Sequence, residues 1–209
     1  MDIIKFENIL HRDNLELIEN TIKNDGVIVY PTDTLYGMGG NFFSLKVMKK
    51  IDWLKGRADM PYSAAVTGYD MIKKLTAEIP PAFYELQEKI FPGKFTALFK
   101  VSESINKALL KGSDKIGIRI PDIPEIIKLL EYLEERLDAP LISTSVNKSG
   151  RPPLRDPEQI KKEFPGIDLL IDAGMLPGSK GSTILDFTAS PVKVTRKGDD
   201  FEKIENYFR

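Results

Sequence analysis

The chain has 209 residues, 42% hydrophobic and 29% charged, which suits one folded domain and leaves no room for two large ones. Lysine and arginine number 30 against 31 acidic residues, so a net charge of −1 exerts no global pull on nucleic acid or anionic lipid, and any polyanion site must be local. Cysteine is absent and His11 is the only histidine, in a polar segment that favours a surface position; this excludes disulfides and thiolate chemistry and leaves histidine acid–base catalysis unexpected.

The amino-terminal run MDIIKFENILHRDN carries charges where a signal peptide needs an unbroken apolar stretch. No apolar run approaches the roughly 20 residues of a membrane span, so a soluble, cytoplasmic protein with no membrane partner is expected. From Asn14 to Asn24, Leu15, Ile18 and Ile22 recur at helical spacing and stop before Asp25 and Gly26. A strand from Val27 to Tyr30 then runs into the polar loop YPTDTLYG. Leu45, Val47, Met48, Ile51 and Leu54 predict a helix that delivers Lys55 and Arg57 at its carboxyl end, where Gly56 supplies the stop. YSAAVTG reads as a short buried strand before a helix entered near Asp70; Pro81 to Ile90 reads as a helix, followed by a Pro-Gly turn and a strand from Thr96 to Val101. KIGIRIP alternates as a strand stopped by Pro121, IPEIIKLLEYLEERL is an amphipathic helix and APLISTS a strand, and IDLLIDAG, GSTILDF and VKVTRKG read as three more short strands. Strands interleaved with helices, then a strand-rich end, predict an α/β layer structure with a mixed sheet.

Four strands end in loops crowded with hydroxyls, amides and cations: YPTDTLYG, GIRIPD, ISTSVNKSG and GSTILD. Ligands on α/β sheets sit at strand ends, so these loops are expected to meet at one pocket, although each alone also reads as ordinary turn chemistry. Lys55, Arg57, Arg119 and Arg196 suit carboxylate and phosphate, because guanidinium pairs bidentately with both. Neither G-x-x-x-x-G-K-[ST] nor G-x-G-x-x-G occurs. Such groups position and stabilise charge and make poor nucleophiles. The PTDT loop leaves Tyr36 open between packing and ligand contact.

YPTDTLYGMGG, KGR followed by Pro61, PGKFT, IGIRIPD, STSVNKSG, GSTILD and VTRKG, in this order, resemble the YrdC-like domain of the threonylcarbamoyladenylate synthases, over about Leu15 to Gly198. The resemblance implies a single YrdC-like domain over 1–209, a layered α/β fold whose twisted mixed sheet is flanked by helices around an open concave pocket. It implies a nucleotidyltransferase that makes threonylcarbamoyl-AMP and pyrophosphate from L-threonine, bicarbonate or CO2, and ATP, with Mg2+ accompanying the ATP. That product serves the threonylcarbamoyl modification of adenosine 37 in tRNA, so tRNA and the complex that transfers the group are implied partners. By the same resemblance, Thr34, Arg119, Ser143 and Ser182 meet L-threonine. Lys55, Arg57, Ser145, Asn147 and Arg196 meet the nucleotide, and Lys55 and Arg57 act catalytically on phosphate charge; no metal ligand is assigned. Asp33, Val146 and Lys94 stand where many relatives have Glu, Ala and Pro, and the segment 58–65 is one residue shorter, which bears on contacts at Met60 and near Ala65. Longer members carry a second carboxyl-terminal domain, for which this chain is too short.

Two other readings remain open on sequence. Lys49, Lys50, Lys55, Arg57, Lys148, Arg151 and Arg155 would form a local basic patch in a module that binds double-stranded RNA or tRNA without turnover of its own. YrdC-like domains also occur in carbamoyl-transfer partners of metalloenzyme maturation, which carry further domains. Whether Lys55 and Arg57 serve the triphosphate or only form a solvated helix end, both are expected to be exposed enough that their loss leaves stability nearly unchanged.

Overall fold

The computed structural model describes residues 1–57 and 60–208, in which a mixed sheet of 10 strands is covered by helices. The strands are β1 (Asp2–Lys5), β2 (Ile28–Pro31), β3 (Tyr36–Gly39), β4 (Ser63–Ala65), β5 (Phe95–Lys100), β6 (Lys115–Arg119), β7 (Leu141–Ser145), β8 (Leu169–Asp172), β9 (Thr183–Asp186) and β10 (Lys193–Arg196). The helices are α1 (Arg12–Lys23), α2 (Leu45–Lys55), α3 (Tyr69–Leu75), α4 (Pro81–Ile90), α5 (Pro124–Leu137) and α6 (Pro157–Glu163). The sheet order is β1-β8-β2-β3-β7-β4-β6-β5-β9-β10. The expected α/β layers and most elements are present, within a few residues of their predicted bounds. No helix among the described residues is long and apolar enough to cross a membrane.

Strand alternation sorts side chains into two cores, one on each face. Around β2, Ile28 and Tyr30 join Ile18 and Ile22 of α1 and Leu129, Leu130 and Leu133 of α5. Val27 and Val29 point the other way and join Val47, Ile51 and Leu54 of α2 and Phe83 and Leu86 of α4. Each fully buried aliphatic side chain is worth about 1.5–3 kcal/mol, so both faces are strongly held.

Within the loop YPTDTLYG the structure adds a strand. β3 pairs antiparallel with β2, from Ile28↔Gly39 to Pro31↔Tyr36, leaving residues 32–35 as the hairpin turn. The Thr32 hydroxyl ties that turn, donating to Leu35 O at 2.6 Å and accepting from the backbone of Thr34 (3.3 Å) and Leu35 (3.2 Å). Glycine at 37 and 39 hides β3 from a propensity reading. It is also required there, because a Cβ at Gly39 would lie 1.9 Å from Ile142 O of β7. The strand β1 and the helix α6 were likewise not expected from sequence.

β7 lies between β3 and β4, and its first residue also bridges Asn41, just beyond β3. Its first residues pair with β4, through Leu141↔Ala65 to Ser143↔Ser63, and its last pair with β3, through Thr144↔Met38 and Ser145↔Gly37. α2 starts at Ser44, whose hydroxyl accepts from Val47 N at 3.2 Å, and ends at Gly56 in the left-handed conformation (φ 66°). The loop after β7 then satisfies orphan carbonyls of its last turn: Lys148 Nζ donates to Leu54 O at 2.7 Å and Ser149 N to Lys55 O at 2.8 Å. These contacts fix the KGR segment against β7.

Candidate active site

All four polar strand-end loops reach one cavity of about 340 Å3. Thr34 enters from the hairpin turn, Arg119 from the end of β6, Ser143 and Ser145 from β7, and Ser182 from the start of β9, with Arg57, Asn147 and Arg196 completing the set. Ser143 and Ser145 share a face because side chains two apart on a strand do. Among the described residues the charged lining groups are Arg57, Lys180, Arg119 and Arg196, with no carboxylate. A wall of guanidinium and hydroxyl groups accepts anions and has no strong base to offer.

The three arginines are held differently. Arg119 is buried, ion-paired with Asp33 through one amino group, and its other amino group donates to Thr34 Oγ1 at 3.3 Å. The Asp33 carboxylate also accepts from Asp122 N at 3.2 Å, so Asp33 orients the arginine and is not itself part of the lining. Arg119 Nε is buried with no hydrogen-bond partner. Arg196 donates through Nε to Ser182 O at 2.9 Å and through an amino group to Ser182 Oγ at 3.0 Å, and that hydroxyl also bonds Thr96 Oγ1 at 2.8 Å. Burial, and then the charge of Arg119, pull the Arg196 pKa down. Arg57 sits beyond the α2 cap with its guanidinium 5.2 Å from the centre of the Tyr62 ring and 4.0 Å from Met60 Sδ.

Lys55 departs from its expected exposed position and is 1% exposed. It lies four residues after Ile51, on the helix face that packs into the core, and it is not among the cavity-lining residues. Its amine donates to Ser145 O and, at 3.0 Å, to Asn147 Oδ1, which also accepts from Ser145 Oγ at 2.7 Å. Burial, and then repulsion from Arg57, pull the Lys55 pKa down to about 7. A neutral amine still has two protons for these two acceptors. Lys55 therefore braces Ser145 and Asn147 from beneath.

Tyr36 resolves toward packing: its hydroxyl donates to Gly174 O at 2.8 Å and accepts from Ala173 N at 2.9 Å, and burial pushes its pKa up to about 12. Of the segment 58–65, residues 58 and 59 lie outside the described residues; Met60 lines the cavity, while Ala65 is buried in β4. His11 is exposed at the start of α1. Among the described residues no group of three or more His, Cys, Asp or Glu could hold a metal ion.

The basic patch does not stay whole. Lys50 is ion-paired with Asp168 at 2.5 Å, Lys148 turns inward onto Leu54 O and the Phe164 ring (5.1 Å), and Lys55 is buried. Groups that sequence reasoning missed include Asp52, Tyr62 and Lys111 behind Arg57, and Asp199, whose carboxylate accepts from Ser179 Oγ at 2.6 Å and Lys180 N at 3.0 Å to tie the loop before Ser182. No local pattern marks Lys111; the sequence GDD after VTRK gives a turn signal for Asp199 and nothing more.

A sequence profile of the Sua5/YciO/YrdC family, described as "Telomere recombination", matches residues 20–198. The threonylcarbamoyl-AMP synthase of Pyrococcus abyssi is 28% identical over 208 residues, covering 97% of this chain and 60% of that protein. A putative threonylcarbamoyl-AMP synthase of Mycobacterium tuberculosis is 31% identical over 179 residues, 85% of this chain and 80% of that protein. The solved structure of P. abyssi Sua5 complexed with L-threonine matches with a TM-score of 0.85 at 25% identity, covering 98% of this chain and 59% of that one. This chain therefore spans about three fifths of the P. abyssi protein.

Proposed function

The chain belongs to the Sua5/YciO/YrdC family, and from that membership we propose that it is an L-threonylcarbamoyladenylate synthase. The observation that carries the reading is the cavity wall: Arg57, Arg119 and Arg196 with the hydroxyls of Thr34, Ser143, Ser145 and Ser182, and no lining carboxylate among the described residues. A carboxylate, a hydroxyl and a triphosphate all find partners there. Arg119, Thr34, Ser143 and Ser182 hold L-threonine; Arg57, Ser145, Asn147 and Arg196 hold ATP; and Lys55 acts on the nucleotide through Ser145 and Asn147.

The neutral threonine amine attacks CO2 and loses a proton, giving a carbamate. A carbamate oxygen then attacks the α-phosphorus of ATP, the bond from that phosphorus to the bridging oxygen breaks, and pyrophosphate leaves. Both steps need positioning and charge stabilisation more than a protein nucleophile, which matches a site of guanidinium and hydroxyl groups. Mg2+ would accompany the ATP as part of the substrate and offset triphosphate charge. The product is a mixed anhydride suited to acyl transfer onto an amino group of tRNA, at adenosine 37, by a transfer partner. We infer a cytoplasmic location, a compartment that holds ATP, threonine and tRNA together.

The test is to incubate the pure protein with ATP, bicarbonate and labelled threonine, and to follow pyrophosphate and the adenylate by mass. Threonine-dependent pyrophosphate release with an adenylate carrying the label is expected. Pyrophosphate release that ignores threonine, or none, overturns the reading. An RNA-binding module would instead show salt-dependent RNA affinity and no turnover.

A further inference from the structure

Arg57 and Arg196 are the cavity arginines with no carboxylate partner among the described residues; Ser182 holds Arg196 through two hydrogen bonds, whereas the Nε of Arg57 is buried without one. Among the described residues, the contact that can fix the plane of Arg57 is not an ion pair. The Tyr62 ring lies 5.2 Å from its guanidinium carbon, within the range of a cation–π contact. Tyr62 is 2% exposed, and its hydroxyl donates to Asp52 Oδ1 at 2.6 Å. Asp52 in turn is ion-paired with Lys111, whose ammonium also lies 5.5 Å from the same ring. Burial, and then the hydrogen bond to Asp52, push the Tyr62 pKa up against an opposing contribution from Arg57 beside the hydroxyl, so the hydroxyl stays protonated and keeps donating to Asp52. The Asp52 backbone carbonyl accepts from Arg57 N at 3.0 Å, so the residue that anchors the ring also anchors the arginine's main chain.

We propose that Tyr62, held by Asp52 and Lys111, is the positioning residue for Arg57: its ring is a platform that sets the guanidinium plane while leaving the N–H groups for phosphate. Stacking suits this task because it orients a cation without neutralising it, whereas a carboxylate would compete with the ligand. Tyr62 acts through Arg57 and takes no part in bond making. The inference rests on the proposed nucleotide role of Arg57, and it is read by binding so that it stands apart from turnover.

Equilibrium ATP binding, without threonine, is measured on wild type, Tyr62→Phe, Tyr62→Leu, Arg57→Ala and the double variant Tyr62→Leu/Arg57→Ala, each checked by a melting curve. Tyr62→Leu should weaken ATP about 5- to 30-fold, the range of one partly desolvated cation–π contact. Tyr62→Phe, which keeps the ring, should stay within about threefold of wild type. Tyr62→Leu should add nothing in the Arg57→Ala background, since the platform then has nothing to hold. ATP affinity within twofold of wild type in Tyr62→Leu, or an equal loss in both Arg57 backgrounds, overturns the proposal. Should Tyr62→Leu fold poorly, Tyr62→Met fills similar space and is read in the same way. If wild type binds ATP and these differences hold while threonine-dependent turnover is absent, the synthase reading fails and the platform stands.

Discussion

Arg119 and Arg57 face the same cavity from opposite kinds of support. Arg119 ends a strand and is locked by a buried ion pair to Asp33 and by Thr34; Arg57 follows a helix cap and rests on an aromatic ring. The first cation is already balanced within the protein, so a ligand meets a fixed orientation more than a fresh charge. The second brings a charge that a ligand can neutralise. Between them, Lys55 shows that a cation in the same motif as Arg57 can be structural, since it lies under the cavity and not on it. Proximity in sequence does not predict whether a charge serves the fold or the ligand.

The largest effect that tests this contrast is expected at Arg119. Arg119→Ala leaves the Asp33 carboxylate, whose side chain is 6% exposed, without its partner. Breaking such a pair from one side costs about 3–5 kcal/mol. That is a drop of about 6–20 °C in melting temperature for a chain of this size, with loss of threonine-dependent turnover. Adding Asp33→Asn should recover part of the stability and none of the turnover. A melting temperature within 2 °C of wild type in the single variant would mean the pair carries no load.

Lys55 comes next. Lys55→Met strips donors from Ser145 O and Asn147 Oδ1, a loss of about 1–3 kcal/mol. The loss has a pH signature. The amine titrates near 10.5 when unfolded and at about 7 when folded, so between those values the unfolded chain binds the extra proton. Stability contributed by this group therefore rises as pH climbs from about 7 to 10.5 and is flat below that window. Melting curves from pH 6 to 10 should diverge between wild type and Lys55→Met as pH rises; parallel curves would show that the lysine stays charged when buried.

The smallest change in stability belongs to Arg57. Arg57→Gln should shift the unfolding free energy by no more than about 0.5 kcal/mol, yet abolish most of the melting-temperature rise that ATP confers on wild type. If Arg57→Gln melts as low as Arg119→Ala, the division between structural and ligand-facing arginines collapses.

Much of the architecture is legible in the chain. Ile18 and Ile22, Ile51 and Leu54, and Leu129 and Leu133 repeat at helical spacing because each helix must bury one stripe, and the polar strand ends that meet at the cavity stand out against those apolar runs. What escapes has physical reasons. β3 is half glycine, chosen for the close approach of Gly39 to Ile142 O, and glycine carries no strand signal. Lys55 sits at core spacing from Ile51, but a charged residue defeats a rule based on polarity. The partners of Arg119 and Asp52 are 86 and 59 positions away in sequence, so only the folded chain names them.

β7 lies between β3 and β4, and it carries the cavity hydroxyls of Ser143 and Ser145. Ser143 is in register with β4, on the side that continues to β6 with Arg119 and to β9 and β10 with Ser182 and Arg196; Ser145 is in register with β3 and its hairpin. β7 is therefore the joint between the two halves of the sheet, and a pair of bound substrates that touches both halves would tie them across it. The Ile142 amide, bonded to Gly40 O at 2.9 Å, and the Val146 amide, bonded to Tyr36 O at 3.1 Å, are the teeth of that joint. Their hydrogen exchange should slow several-fold when threonine and nucleotide are bound together and change little with either alone; equal protection by a single ligand would mean the joint is already closed.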